Sequence, residues 1–207
     1  ARARGVPLFT VSSGPPHFHT AIDPAPGGAV ILDLSAMKKI VSINRRNRVA
    51  LVEAGVTFAE LIPEVRKAGL RLSLPLLPRR NKSATAAYLE REPVIMPRYQ
   101  WDLSDPLLCL EVVFGTGDLF RTGSAAGPGT LEEQWAAGEY QKSPMGPGQN
   151  DWMKIIQGSQ GTIGAATWAS FKCEVAPEEE RLIVASSGSL DSLVEAVYRL
   201  QWRGFPD

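Results

Sequence analysis

Phe9-Thr10-Val11-Ser12-Ser13-Gly14-Pro15-Pro16 is the stretch around which this chain is read. An apolar run from Val6 to Val11 ends in two hydroxyl residues and a glycine. That pattern is a strand running into a tight polar turn. Successive backbone N–H groups in such a turn can converge on an anion. Ser12 and Ser13 add hydroxyl donors, and Gly14 has no side chain to block a close ligand. The turn therefore suits the pyrophosphate of a dinucleotide. The same residues also make an ordinary strand-to-loop turn, and the rest of the chain decides between the two.

Downstream, Ala29 to Leu34 reads as a buried strand, and Ser35 as the cap of a short helical turn ending near Ile40. Val41-Ser42-Ile43 and Val49 to Glu53 read as strands around a polar turn. Thr57-Phe58-Ala59-Glu60 is a capping box, and Phe58, Leu61, Ile62 and Val65 share one helical face. Gly69 stands where a left-handed residue ends such a helix. Pro63, past the first turn, is expected to kink it or loosen its start. Leu70 to Pro78 is apolar but broken by Pro75 and Pro78, so it is expected to be an extended loop. Pro75 and Leu77 are the residues of that loop placed against a ligand.

Ser83 caps two helical turns running to Arg91. Leu107 to Phe114 is the strongest strand signal, and Leu119 to Thr122 returns to it as a hairpin. Glu111 interrupts the run and is expected to face solvent. A Gly/Pro-rich connector, with a short helical piece at Leu131 to Ala137, leads to Gly158-Ser159-Gln160-Gly161-Thr162-Ile163-Gly164 and a strand over Ala165 to Val175. Three glycines in seven residues allow backbone to press against a flat ligand or simply to bend. After Pro177, Arg181 to Ser186 reads as a strand. Leu190 to Arg203 reads as an amphipathic helix with Leu190, Leu193, Val194, Val197 and Leu200 on one face.

The totals narrow the function classes. At 207 residues the chain holds one good core and part of a second. Lys+Arg and Asp+Glu both number 22, so the basic surplus of a general nucleic-acid binder is absent. No apolar run approaches the roughly 18 residues of a membrane span. No secretory signal is read at the start, and cytoplasm is the expected address. Cys109 and Cys173 sit in apolar runs and are expected to be buried free thiols. His17 and His19 have the spacing of metal ligands, but no further ligand cluster accompanies them and no metal is expected.

Together these pieces resemble the FAD-binding domain of the vanillyl-alcohol oxidase and p-cresol methylhydroxylase flavoprotein family. Four segments match in order. Pro7 to Gly14 looks like the family's pyrophosphate loop. Gly28 to Ser35, with Met37, Ile40 and Val52 to Thr57, looks like its second strand, hairpin and first long helix. Ser83 with Leu89-Glu90-Arg91, then Pro97, Tyr99, Glu111 to Phe114, Gly117 and Arg121-Thr122-Gly123, looks like the flavin-contacting segment and its hairpin. Gln157 to Gly164 looks like the late strand beside the flavin.

The resemblance implies an α+β fold. Residues 1–176 would form a PCMH-type FAD-binding domain of two packed subdomains, 1–69 and 70–176, with FAD in the seam. Residues 177–207 would begin an incomplete substrate or cap domain. It implies that Thr10, Val11, Ser12, Ser13, Gly14 and Pro15 surround the pyrophosphate, with main-chain N–H groups of Val11 to Gly14 as the grip. No G-x-G-x-x-G occurs, which agrees with a grip that needs no Rossmann helix. It places Ser83 and Ala84 by the phosphates or ribose, and Tyr99 in the flavin-facing stretch. Backbone of Gly161, Thr162, Ile163 and Gly164 would lie against flavin or adenine. Some relatives tether the flavin through a loop histidine. His17, counted among the cofactor-binding residues, lies two positions late for that, which implies non-covalent FAD.

Departures from the family pattern are Pro15 and Pro16, which supply no N–H, and Tyr99-Gln100-Trp101-Asp102 in place of a more Gly/His-containing stretch. The implied activity is FAD-dependent oxidation of a small alcohol, 2-hydroxy acid or phenol, with hydride passing to flavin N5. Glu90, Arg91, Tyr99 and Asp102 are candidate bases, and none is assigned. Two other readings stay open. The chain is an FAD-binding fragment or subunit without turnover of its own, completed by a partner chain or a missing cap domain, with a partner subunit or a homo-oligomer as the expected assembly; or it is a scaffold that no longer binds FAD.

Overall fold

A computed structural model describes residues 4–15, 28–75, 77–91, 105–126, 129–136, 151–181 and 183–203. Strand β1 (Leu8–Val11) and strand β2 (Val30–Asp33) form a small parallel sheet in which Thr10 faces Leu32. The larger sheet is antiparallel. It contains β3 (Ile40–Asn44), β4 (Val49–Glu53), β6 (Leu107–Phe114), β7 (Leu119–Arg121) and the long β8 (Gly164–Val175), in the order β3-β4-β8-β6-β7. A short strand β5 (Leu70–Leu72) pairs with the far end of β8. The division expected at residues 69 and 70 thus runs through this sheet, because β4 pairs with β8 across it.

Period-two alternation explains why both faces of the sheet are dry. Ala50 and Val52 of β4, Leu110 and Val112 of β6, and Ala169 and Phe171 of β8 point to one face. There they pack with Phe58, Leu61 and Val65 of helix α1 (Phe58–Lys67) and with Ala87 and Tyr88 of helix α2 (Ala84–Leu89). Leu51, Cys109 and Trp168 point to the other face, where Ala125 and Leu131 cover them. Leu131 opens helix α3 (Leu131–Ala136), and helix α4 (Trp152–Ile156) leads into β8. Glu111 does not simply face solvent: it is half-buried and accepts a 2.6 Å hydrogen bond from the Thr167 hydroxyl.

Local signals set the helix ends. The Glu60 carboxylate accepts from the Thr57 N–H at 2.9 Å and from its hydroxyl at 2.8 Å. Gly69, at φ +72°, ends α1 in the left-handed region. The helix runs on through Pro63. Ser83 caps α2 by accepting the Ala86 N–H at 3.1 Å.

Tyr88 is fully buried edge-on to Phe58 and beside Phe171. Burial holds its phenol above its ordinary pKa, so it stays protonated and donates to the Ser73 carbonyl at 3.0 Å. Tyr88→Phe removes that bond and is expected to cost about 1 kcal/mol. Thermal unfolding should register a fall of roughly 2 to 4 °C. Cys109 and Cys173 are buried thiols outside any disulfide, as expected. Burial pushes the Cys173 thiol up to about 11.

Three further expectations fail. The Ala29–Leu34 strand exists but is exposed, with Ile31 55% accessible, because β2 pairs with β1 alone and no described residue covers its outer face. No helix forms over residues 35–40; the Asp33 carboxylate takes the Ser35 N–H at 2.8 Å and turns the chain instead. No strand forms over the described residues of 181–186, where Ile183 and Val184 lie in solvent. Helix α5 (Leu190–Trp202) forms, but Leu190, Val194, Val197 and Leu200 on its apolar side are exposed.

Candidate active site

A cleft lies between the small sheet and the large one. The loop after β1, Ser12 to Pro15, makes one wall. The segment Arg79 to Glu90 makes a second, and the turn Ser159 to Gly161 a third. Leu34, Ala54 and Ile156 supply apolar floor. The early polar turn and the late glycine-rich turn, read as the two grips of one ligand, therefore lie on the same cleft.

Strand pairing aims the first wall. The Val11 carbonyl accepts the Leu34 N–H at 2.7 Å, which ends the ladder and leaves the next residues outside it. Within the described residues, the N–H groups of Ser12, Ser13 and Gly14 have no hydrogen-bond acceptor. A Cβ added at Gly14 would meet nothing within 4 Å, so the chain's own packing does not require glycine there. Three consecutive amides at an open backbone are the donor set an oxyanion needs. Pro15 lines the same wall and contributes surface but no donor.

The second wall is held by a helix end that it satisfies. The first N–H groups of α1 have no intrahelical acceptor. Phe58 N–H donates to the Lys82 carbonyl at 3.1 Å and Ala59 N–H to the Arg80 carbonyl at 2.9 Å. Those two bonds fix the strap 79–82 with Arg79, Asn81 and Lys82 at the cleft. Lys82, almost fully buried, is ion-paired with Glu90 one helix length away. Arg79 and Lys82 are the cations of this wall and Glu90 is its carboxylate.

The third wall is a tight turn. Thr162 N–H donates to the Ser159 carbonyl at 3.0 Å, and Gln160 (φ +53°) and Gly161 (φ +78°) between them are both left-handed. That combination belongs to a type I′ turn. Gly161 also presses on β1: its Cβ would lie 2.9 Å from Thr10 Oγ1. Gly164 is glycine for another reason, since a Cβ there would lie 2.5 Å from the Val113 carbonyl oxygen of β6.

The site residues expected from the sequence separate accordingly. Thr10, Val11, Ser12, Ser13, Gly14, Pro15, Gly161 and Gly164 line the cleft. Ser83 and Ala84 do not. Their polar groups serve the fold: Ser83 Oγ donates to the Ala54 carbonyl at 2.5 Å, and Ala84 N–H to the Val56 carbonyl at 2.9 Å. Their neighbours Lys82, Thr85 and Ala86 line it instead. Thr162 and Ile163 sit behind the turn, with the Thr162 hydroxyl on the Ser159 carbonyl. Pro75 is buried and Leu77 is 81% exposed, and neither reaches the cleft; the start of their expected loop is strand β5. Glu90 lines it, while Arg91 (φ +57°) turns away to the Lys154 carbonyl at 3.1 Å. His17, His19, Pro16, Tyr99 and Asp102 lie outside the described residues. Among the described residues no cluster suits a metal ion, and no helix is long and apolar enough to cross a membrane.

Known proteins share this chain's sequence pattern and fold. A family model described as FAD binding domain matches residues 1–123. The chain is 31% identical over 127 residues to the 4-cresol dehydrogenase [hydroxylating] flavoprotein subunit of Pseudomonas putida, covering 60% of this chain and 24% of that protein. It is 27% identical over 176 residues to glycolate oxidase subunit GlcD of Bacillus subtilis, covering 84% of this chain and 33% of that protein. A solved structure of p-cresol methylhydroxylase with substrate bound superposes with a TM-score of 0.68 at 25% identity, over 94% of this chain and 36% of the other. The chain spans about a quarter to a third of the length of the curated relatives it matches. On the match of more than half its residues, and on a fold shared with p-cresol methylhydroxylase, the chain belongs to the FAD binding domain family.

Proposed function

We propose that this chain is the FAD-holding part of an oxidoreductase that oxidises a small alcohol, 2-hydroxy acid or phenol. The observation that carries the reading is the cleft itself. Amides of Ser12 to Gly14, without an acceptor among the described residues, stand on one wall and a glycine turn pressed on Thr10 stands on another. Bound there, FAD would supply the two-electron chemistry. The chain's own residues bind and orient: Ser12, Ser13 and Gly14 donate to the pyrophosphate, Arg79 and Lys82 offset its charge, and Leu34, Ala54 and Ile156 exclude water. The substrate classes rest on relatives named 4-cresol dehydrogenase, glycolate oxidase and D-lactate dehydrogenase. We assign FAD holding to residues 1–176 and read 177–207 as the start of a substrate domain.

A second reading is supported by α5. Its exposed apolar side suits contact with further protein, so turnover would need more than this chain provides. Purified chain titrated with FAD separates the outcomes. Saturable quenching of flavin fluorescence is expected, with the colour released into the supernatant on acid precipitation, as for a non-covalent cofactor. Bleaching of the bound flavin by 4-alkylphenols or 2-hydroxy acids without oxygen would favour the complete enzyme over the incomplete one. Absence of saturable binding would remove both.

A further inference from the structure

Thr85 is the second residue of α2 and is one of the residues lining the cleft, at 1% exposure. Its hydroxyl oxygen is buried without a hydrogen-bond partner. A threonine inside a helix can satisfy its hydroxyl on the carbonyl four residues back, but Thr85 stands at the second helical position and Asn81 lies before the cap residue Ser83. The Arg80 and Lys82 carbonyls of the strap that precedes Ser83 are taken by the Ala59 and Phe58 N–H groups. Burying a hydroxyl without a partner is costly, and folded proteins rarely leave one so. The residue next to it in the cleft wall, Ala86, has no polar side-chain atom to offer, and Ser83 is used by Ala54 and Ala86.

We infer that the Thr85 hydroxyl is a contact of the bound flavin nucleotide, left unpaired in the cofactor-free protein and satisfied on binding. The inference rests on the proposed FAD site and adds a residue that no reading of the motif identified. A hydroxyl both donates and accepts, so it suits the alternating polar edge of a flavin or the hydroxyls of a ribityl or ribose chain. It also has a consequence that a structural threonine would not have. The same group should weaken the empty fold and strengthen the loaded one.

Thr85→Val keeps the shape and deletes the hydroxyl. With the full chain, cofactor-free Thr85→Val should melt about 2 to 4 °C above the parent. Its FAD dissociation constant, read by flavin fluorescence, should rise roughly tenfold. Thr85→Ser, which keeps the hydroxyl, should bind FAD within about twofold of the parent. An unchanged affinity in Thr85→Val would overturn the inference while leaving the FAD site standing. A lower melting temperature, or failure to fold, would also overturn it, by showing that the hydroxyl already has a partner. If the parent chain bound no FAD, the proposed site itself would fall and this contact with it.

Discussion

Replacing Gly55 by valine is expected to damage this protein more than any other single change named for it. Gly55 follows Ala54 at the end of β4, and its N–H donates to the Met37 carbonyl at 2.8 Å. A Cβ on it would lie 2.6 Å from the Leu34 oxygen, 2.7 Å from the Met37 oxygen and 2.8 Å from the Ser35 oxygen. All three are backbone atoms, so no side chain can swing away. The loop 34–37 joins the two sheets, and Leu34 and Ala54 line the cleft. Moving it costs packing and misplaces the wall together. A loss of about 3 kcal/mol is expected, read as a fall in melting temperature of roughly 6 to 12 °C. FAD binding should weaken in parallel. A variant melting within about 2 °C of the parent would show that the loop yields freely.

Gly14→Val is expected to do the opposite: lose the cofactor and keep the fold. Nothing lies within 4 Å of the Cβ position at Gly14, and its φ is outside the left-handed region. The empty protein therefore accommodates a side chain, with a stability change inside about 0.5 kcal/mol. The amides of Ser12, Ser13 and Gly14 can serve a phosphate only if it approaches them closely. An isopropyl group at that point holds a pyrophosphate away from hydrogen-bond distance. Affinity for FAD should fall roughly hundredfold, or about 2.7 kcal/mol. Calorimetric titration and thermal unfolding on the same sample give both values. Unchanged affinity would place the phosphates elsewhere; lost stability would mean that the glycine serves the fold.

The contrast between these glycines shows how much of the molecule is legible in its sequence. Local grammar was readable: the Thr57–Glu60 cap, the left-handed Gly69, the Ser83 cap and the β6–β7 hairpin each depend on residues within a few positions of one another. Burial was not, because it depends on what packs from far away. Val30, Ile31 and Leu32 look like core and are exposed, since β2 finds only β1. The same blindness hid half of the cleft. Arg79, Asn81 and Lys82 reach it because carbonyls of their strap cap a helix that begins some twenty residues earlier, a pairing no spacing announces. Ser83 carried the motif resemblance, yet its hydroxyl ties α2 to Ala54 and the neighbour Thr85 lines the cleft. Of the late glycines, Gly161 touches β1 at the cleft while Gly164 is small to fit under β6.

The central claim is that main-chain amides of one early turn hold a flavin dinucleotide against one late turn. Amide proton and nitrogen shifts followed through an FAD titration test it most directly. On this account the N–H resonances of Ser12, Ser13 and Gly14 move furthest as phosphate oxygens accept from them, with Gln160 and Gly161 moving along the same binding curve. Saturable FAD binding that left those resonances where they were would contradict it.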